Sequence, residues 1–124
     1  MDRSRCISML KTTVIEFIED IEANIARGML EKKVCQVFLA HFRSYPELKL
    51  MNSCVKLILP KAKEMKERQL QFLETSLETL FKKITDHDFP LEITKDRLSK
   101  EDEETIWNFM DIILALTEQY KKDQ

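Results

Sequence analysis

The sequence predicts an all-α fold, a bundle of four to five helices with the C-terminal helix at its centre. Three observations support this class. Apolar residues recur at three- and four-residue steps over most of the 124-residue chain, which is the spacing of one helix face. One glycine and three prolines are too few for the tight turns that connect short strands. The last stretch, residues 99–121, is apolar around most of its circumference, so neighbouring helices must cover it.

The last predicted helix has clear signals at both ends. Ser99 followed by Asp102 fits a capping box, in which the serine hydroxyl accepts a hydrogen bond from the backbone of the third helical residue. Acidic residues crowd the first turn and lysines the last turn, as the helix dipole favours. The polar strip of this helix is narrow and consists of Asn108, Asp111, Ala115, Glu118 and Lys122. The remaining surface is predicted to lie in the core.

The first two helices are predicted from the same periodicity. The first covers about residues 8–24 and ends before Gly28, which we expect to form its left-handed cap because glycine adopts positive φ without strain. The second covers about residues 30–42. Its apolar stripe consists of Leu30, Val34, Val37, Phe38 and His41, widened by Cys35, Leu39 and Phe42.

Two prolines shape the middle of the chain. Pro46 fits the first turn of a third helix, where its missing N–H would have no partner in any case. Pro60 interrupts that helix, because an internal proline removes a backbone donor and costs about 3 kcal/mol. The chain is therefore expected either to kink there or to start a new helix. The helical period then continues to about residue 83, and residues 85–98 are predicted to form a loop.

Composition and motifs exclude several classes of function. The formal net charge of −2, from 20 basic and 22 acidic residues, does not predict a nucleic-acid or membrane partner. No apolar run approaches the roughly 20 residues that span a bilayer. Three widely spaced cysteines without a CxxC motif predict reduced thiols and an intracellular location. We expect one domain, residues 1–124, with no cofactor and no bound metal.

Few residues are candidates for chemistry. Cys35 and Cys54 lie among apolar helical residues, where cysteine packs as a small hydrophobe, whereas Cys6 near the N-terminus is a candidate for an exposed thiol. His87 stands between two aspartates and would suit a divalent metal, but the sequence offers no further ligands, so a solvated loop is favoured. Without a glycine-rich phosphate loop, HExxH or GxSxG motif, the chain is predicted not to be an enzyme.

Partner binding is the remaining class, and it has six candidate residues: Tyr45, Lys61, Lys63, Lys66, Arg68 and Trp107. The four basic residues belong to a row over residues 56–68 that would meet phosphates. Two glutamates interrupt this row and no aromatic residue alternates with it to stack bases, so a solvated helix face is favoured. Trp107 would anchor an interface, although its apolar helix favours the core. Tyr45 precedes a proline and is expected at a helix junction.

Two segments carry a resemblance to a known group of proteins. Residues 59–73, LPKAKEMKERQLQFL, open with proline and lysine and continue as a charged helix, and residues 98–116, LSKEDEETIWNFMDIILAL, follow an acidic cap with Ile-Trp and an apolar helix. Both segments resemble parts of small all-helical proteins encoded by nucleocytoplasmic large DNA viruses. The resemblance implies an intracellular viral protein of helical fold, with no catalytic residues.

The sequence therefore favours a non-enzymatic structural or protein-interaction module that binds itself or a protein partner through apolar helix surface. This hypothesis is motivated by the absence of catalytic motifs and by more apolar helix surface than a bundle of this length easily hides. The alternative is a nucleic-acid-binding module that uses the basic face of residues 56–68. An exposed apolar patch would favour the first hypothesis, and a continuous lysine stripe would favour the second.

Overall fold

The computed structural model of the chain describes residues 2–86 and 98–122, and these ranges contain helices and no strand. In chain order, its elements are α1 (Arg3–Asn24), α2 (Gly28–Ser44), α3 (Glu47–Leu57), a 3-10 turn (Leu59–Lys61), α4 (Ala62–Lys66), α5 (Leu70–Phe72), a π-helical turn (Leu73–Leu77), α6 (Glu78–Thr85) and α7 (Lys100–Lys122). The segments α5, π-helical turn and α6 follow one another without a break and form one irregular rod. The predicted all-α class is confirmed.

The C-terminal helix α7 has the central position that the sequence predicts. It contacts α1, α3, α4 and the 3-10 turn. Helix α1 runs antiparallel to it, because the Arg3 guanidinium lies 4.3 Å from the centre of the Tyr120 ring and the Phe17 ring lies 5.4 Å from the Phe109 ring. Since α1 also contacts α2 and α3, the α1–α7 pair forms the middle of the bundle.

The buried face of α7 agrees with its apolar sequence. Its buried residues are Ile106, Trp107, Met110, Ile113, Leu114, Leu116, Thr117 and Tyr120. The five residues of the predicted polar strip are all exposed. Ile112 was expected to lie in the core, but it borders that strip and is 46% exposed. The predicted cap is present, since the Ser99 hydroxyl accepts a hydrogen bond of 3.0 Å from the Asp102 N–H.

Phe81 of α6 lies at the junction of α1, α2 and α6. Its ring centre is 6.3 Å from that of Phe17 in α1, and 5.7 and 5.4 Å from those of Phe38 and Phe42 in α2. The two contacts with α2 are edge-to-face, a geometry that contributes about 0.5–1.5 kcal/mol beyond area burial. Through this one side chain, the irregular rod packs against both α1 and α2.

Helix α1 begins about five residues earlier than predicted. The Asp2 carboxylate accepts a hydrogen bond of 2.8 Å from the Arg5 N–H, so Asp2 serves as the N-cap and α1 starts at Arg3. These extra residues place Cys6 on the buried face. The prediction that Cys6 is a candidate exposed thiol is therefore wrong.

The connection between α1 and α2 uses its glycine differently from the prediction. Gly28 has a φ of +75° and is left-handed as expected. It stands at the start of α2, however, and not at the end of α1. Helix α1 ends at Asn24, and the Ala26 N–H bonds back to the Ile21 carbonyl at 2.8 Å.

The chain between α3 and α5 is interrupted twice. At Pro60 a 3-10 turn replaces the α-helix, and α4 begins directly after it. Pro46, expected in the first turn of α3, is its N-cap instead. The expected continuous helix up to residue 83 is wrong, because Arg68 has a φ of +57° and ends the regular path of α4. A left-handed residue other than glycine costs about 1–2 kcal/mol, so other contacts must hold Arg68 in place.

Most of the predicted loop over residues 85–98 lies outside the described residues. This includes His87, the candidate metal ligand. At the two edges, Thr85 ends α6 and Leu98 is buried in the core. Among the helices of the described ranges, none has the length and apolarity needed to cross a membrane.

Truncation of Phe81 tests the packing at the junction of α1, α2 and α6. We expect Phe81→Ala to lower the free energy of unfolding by about 3–5 kcal/mol, because it removes a fully buried ring and leaves a cavity between three helices. Urea unfolding followed by circular dichroism measures this change. The control is Phe109→Ala, which removes a half-buried ring of α7 and should cost clearly less. Equal losses in the two variants would contradict the central position of Phe81.

Candidate functional site

Tyr45 lies at a helix junction, as its position before a proline predicts. It caps the C-terminal end of α2 and is half-buried. Its carbonyl accepts a hydrogen bond of 2.9 Å from the Lys11 ammonium, which also bonds the Arg43 carbonyl at 2.7 Å. Tyr45 therefore belongs to a contact that joins the end of α2 to α1. Within the described ranges, Tyr45 forms no hydrogen bond with any of the other five candidate residues.

Arg68 and Trp107 are brought together by the break after α4. Two guanidinium nitrogens of Arg68 donate to the two carboxylate oxygens of Asp111 at 2.6 and 2.7 Å. The guanidinium carbon lies 5.5 Å from the centre of the Trp107 ring, and a third hydrogen bond of 3.4 Å reaches the Trp107 carbonyl. Paired donation to a carboxylate is among the stronger polar contacts in proteins. These contacts explain why Arg68 tolerates a left-handed backbone.

The hydrogen bond to Asp111 also governs the charge of Arg68. It raises the pKa of the guanidinium above its ordinary value, and the Coulomb attraction of the same carboxylate acts in the same direction against partial desolvation. Both side chains are nearly half exposed, 44% for Arg68 and 47% for Asp111. Water and salt therefore screen the pair, and its contribution to stability is modest.

The basic row over residues 56–68 does not form one continuous face. Its residues are divided among α3, the 3-10 turn, α4 and the left-handed Arg68, so the backbone changes direction within the row. Lys66 lies 3.6 Å from Glu118 of α7, and Arg68 binds Asp111. Within the described ranges Lys61 and Lys63 form no ion pair. Two cations of the row therefore lie beside carboxylates of the polar strip of α7.

Trp107 belongs to the core and is not an exposed anchor. It is 4% exposed, and its ring stacks on Phe72 with 6.5 Å between ring centres. The indole N–H is buried without a hydrogen-bond acceptor, which costs about 1–3 kcal/mol. A shallow groove of about 440 Å³ runs beside it and is lined by Arg68, Lys100, Glu103, Glu104, Trp107 and Asn108. The sequence-based preference for the core over an interface is confirmed.

The clearest unpartnered surface in the described ranges lies on α2, and it includes Leu30 and Val37, which the sequence predicts as part of the apolar stripe of this helix. We define the outer face of α2 by its exposed residues Met29, Leu30, Lys33, Val37 and Ala40. Met29 and Leu30 are each 76% exposed and Val37 is 43% exposed. The expected stripe is therefore wrong in part, because Leu30, Val37 and His41 point away from the core.

These residues are exposed because apolar residues occupy more than one side of α2. One side of α2 packs against α1 and α6, and its buried residues are Cys35, Phe38, Leu39 and Phe42. A helix of 17 residues that is apolar on two sides cannot bury both against neighbours on one side only. In the described ranges, helix α2 carries three of the exposed large apolar side chains, whereas Met9, Leu48 and Ile112 each lie on a different helix, α1, α3 and α7.

A charged groove flanks the outer face of α2 on the side of α1. Its volume is about 550 Å³, and it is lined by Glu19, Glu22, Ala23, Lys32, Gln36, Leu39 and Arg43. The Arg43 guanidinium lies 3.9 Å from the Glu19 carboxylate, and the Gln36 amide donates to Glu22 at 3.3 Å. The two signs of charge are mixed in this groove, so it presents no strong field of its own.

The three cysteines are buried free thiols. Burial raises the pKa of Cys35 to about 11, with smaller contributions from Glu22 and Glu31, and burial alone raises that of Cys54 to about 12. Thiols with such pKa values stay protonated at neutral pH and are poor nucleophiles. The prediction that Cys35 and Cys54 pack as small hydrophobes is confirmed. In the described ranges, no three histidine, cysteine, aspartate or glutamate side chains group as metal ligands.

A double-mutant cycle tests the pair formed by Arg68 and Asp111. We expect Arg68→Ala and Asp111→Ala to show a coupling of about 0.5–1 kcal/mol in the free energy of unfolding, reduced at 1 M salt, because the pair is bidentate but half exposed. The control cycle uses Lys66 and Glu118, whose single contact of 3.6 Å should give a coupling near zero. A coupling no larger than that of the control would contradict the assigned role of Arg68.

The raised pKa of Cys54 predicts a pH dependence of stability. In the unfolded chain this thiol ionises near its ordinary pKa of 9.0, whereas in the folded protein it ionises near 12. The unfolded state therefore loses its proton first, and stability falls as the pH rises above 9. We expect the free energy of unfolding to fall less steeply between about pH 9 and 11 in Cys54→Ala than in the wild type. The control Ser53→Ala, beside it and also buried, should keep the wild-type slope.

Comparison of the chain with protein families, with curated proteins and with solved structures finds no match. The resemblance of residues 59–73 and 98–116 to viral helical proteins therefore stays a prediction, as does the absence of enzymatic activity.

Proposed function

We propose that this protein is an interaction module that binds another protein through the outer face of α2. The observation that carries the proposal is the exposure of Met29, Leu30 and Val37 on one side of a helix whose opposite side is in the core. Exposed apolar residues are normal when scattered, but a group of them on one face is typical of an interaction site.

The energetics of this surface suit binding. Complete burial of a large apolar side chain contributes about 1.5–3 kcal/mol, so covering the exposed parts would contribute about 1–2 kcal/mol for each of Met29 and Leu30 and about 0.6–1.3 kcal/mol for Val37. The face is also rigid, because Phe38 and Phe42 on the other side of α2 pack against Phe81 in the core. A partner would therefore meet a surface that is already formed, and less ordering entropy would oppose binding.

The same structure weakens the nucleic-acid alternative. Arg68 is bound by both carboxylate oxygens of Asp111, and Lys66 lies 3.6 Å from Glu118, so a phosphate at either cation would meet the negative charge of a neighbouring carboxylate. The remaining lysines of the row lie on segments with different directions. A continuous positive stripe, which that alternative requires, is not present over residues 56–68.

Substitution of two apolar residues on α2 tests the proposal. We expect Leu30→Ser/Val37→Ser to weaken binding of the native partner at least about tenfold, because the apolar contact is lost. The measurement is quantitative affinity purification from cells that express the protein, together with sedimentation of the purified chain. Both side chains are exposed, so unfolding in urea should change little.

The control variant is Leu48→Ser/Ile112→Ser, which removes two exposed apolar side chains from other helices. It should retain the partner. If the α2 variant and the control variant recover the same proteins and sediment alike, the outer face of α2 is not the binding surface and the proposal fails.

A further inference from the structure

The outer face of α2 has a single positive charge at its centre. Lys33 is exposed, and the positions three and four residues away from it are occupied by Met29, Leu30, Gln36 and Val37. No acidic residue of α2 is therefore placed to pair with it along the helix. Lys33 also forms no ion pair within the described ranges. The face thus combines apolar side chains with one unmatched ammonium group.

The charges on neighbouring elements do not neutralise this lysine. Lys32 and Arg43 line the groove on the side of α1 together with Glu19 and Glu22, and Arg43 is paired with Glu19. Glu31 accepts a hydrogen bond of 2.9 Å from the Arg27 backbone N–H at the start of α2. Glu19, Glu22 and Glu31 therefore each already contact another residue, namely Arg43, Gln36 and Arg27. Within the described ranges, this leaves the Lys33 ammonium group available to pair with a carboxylate of a bound molecule.

We infer that the partner is an amphipathic helix whose apolar stripe carries a carboxylate opposite Lys33. This inference rests on the proposed function and names the class of partner. Leu30 and Val37 are seven residues apart, which corresponds to about 10 Å along the helix axis. A crossing helix, itself about 10 Å across, spans that distance and meets Lys33 at the middle of its contact.

A second copy of this chain fits the same face poorly. In a symmetric dimer the same patch meets itself, and a two-fold axis through the centre of the patch brings Lys33 close to the Lys33 of the other copy. Like charges placed together in an interface are unfavourable. Charge complementarity therefore favours an acidic helix of a different protein over self-association.

The test uses synthetic peptides and the complete protein. One fluorescent 18-residue peptide has a leucine stripe flanked by glutamates, and a second has the same stripe flanked by lysines. We expect the acidic peptide to bind the wild type more tightly, by roughly three- to tenfold in Kd, from fluorescence anisotropy. Lys33→Glu should reverse this preference. The control Lys49→Glu, an exposed lysine of α3 with the same change in net charge, should not.

The other outcomes separate the inference from the proposed function. Equal binding of both peptides, lost in Leu30→Ser/Val37→Ser, would overturn the inference and leave the function intact. A dimer seen by sedimentation and abolished by that variant would overturn the inference, and it would change the partner in the proposed function to a second copy of this chain bound at the same face. Binding to phosphatidylserine vesicles but to neither peptide would overturn the inference and the proposed function. No binding to either peptide and a monomer at all concentrations would also overturn both.

Discussion

The antiparallel contact between α1 and α7 is the constraint on which the rest of the bundle depends. Each of these helices is more than 20 residues long, and each presents an apolar face that cannot remain in water. Their pairing brings the two apolar faces together, as the contact between the Phe17 and Phe109 rings shows. The other helices then occupy the remaining sides of the pair, with α2 against α1 and α3 against both. The position of α2 at the outside of this arrangement is what leaves one of its sides uncovered.

The break at Arg68 shows how tertiary contacts override local preference. The sequence from Pro60 to residue 83 has a helical period, and nothing local requires a left-handed residue within it. In the folded chain Arg68 bonds both carboxylate oxygens of Asp111 and lies over Trp107. These contacts form only when α7 lies beside α4, so packing stabilises the break together with the local hydrogen bonds from the Arg68 N–H to Met65 and from the Gln69 N–H to Glu64. The same packing divides the basic row and places two of its cations against acids.

Helix α2 connects the fold to the proposed function. Its inner side holds Phe38 and Phe42 against Phe81, and this fixes the orientation of the helix. Once that orientation is fixed, Leu30 and Val37 must face solvent, because residues on opposite sides of a helix cannot both face the core. The exposed apolar surface and the central Lys33 are therefore products of one choice of packing. A partner with apolar and acidic groups complements both.

The sequence by itself determined the all-α class, the main helices, the cap at Ser99 and the polar strip of α7, because these depend on periodicity and on local hydrogen bonds. The apolar sequence around Trp107 likewise favoured the core for this residue. Only the tertiary structure decided the burial of Cys6, the left-handed Arg68 and the exposure of Leu30 and Val37. Each of these depends on which helix lies opposite, and a periodic pattern shows that a face is apolar without showing what covers it. Leu30 and Val37 of the candidate surface were visible in the sequence as part of the apolar stripe of α2, but their exposure was not.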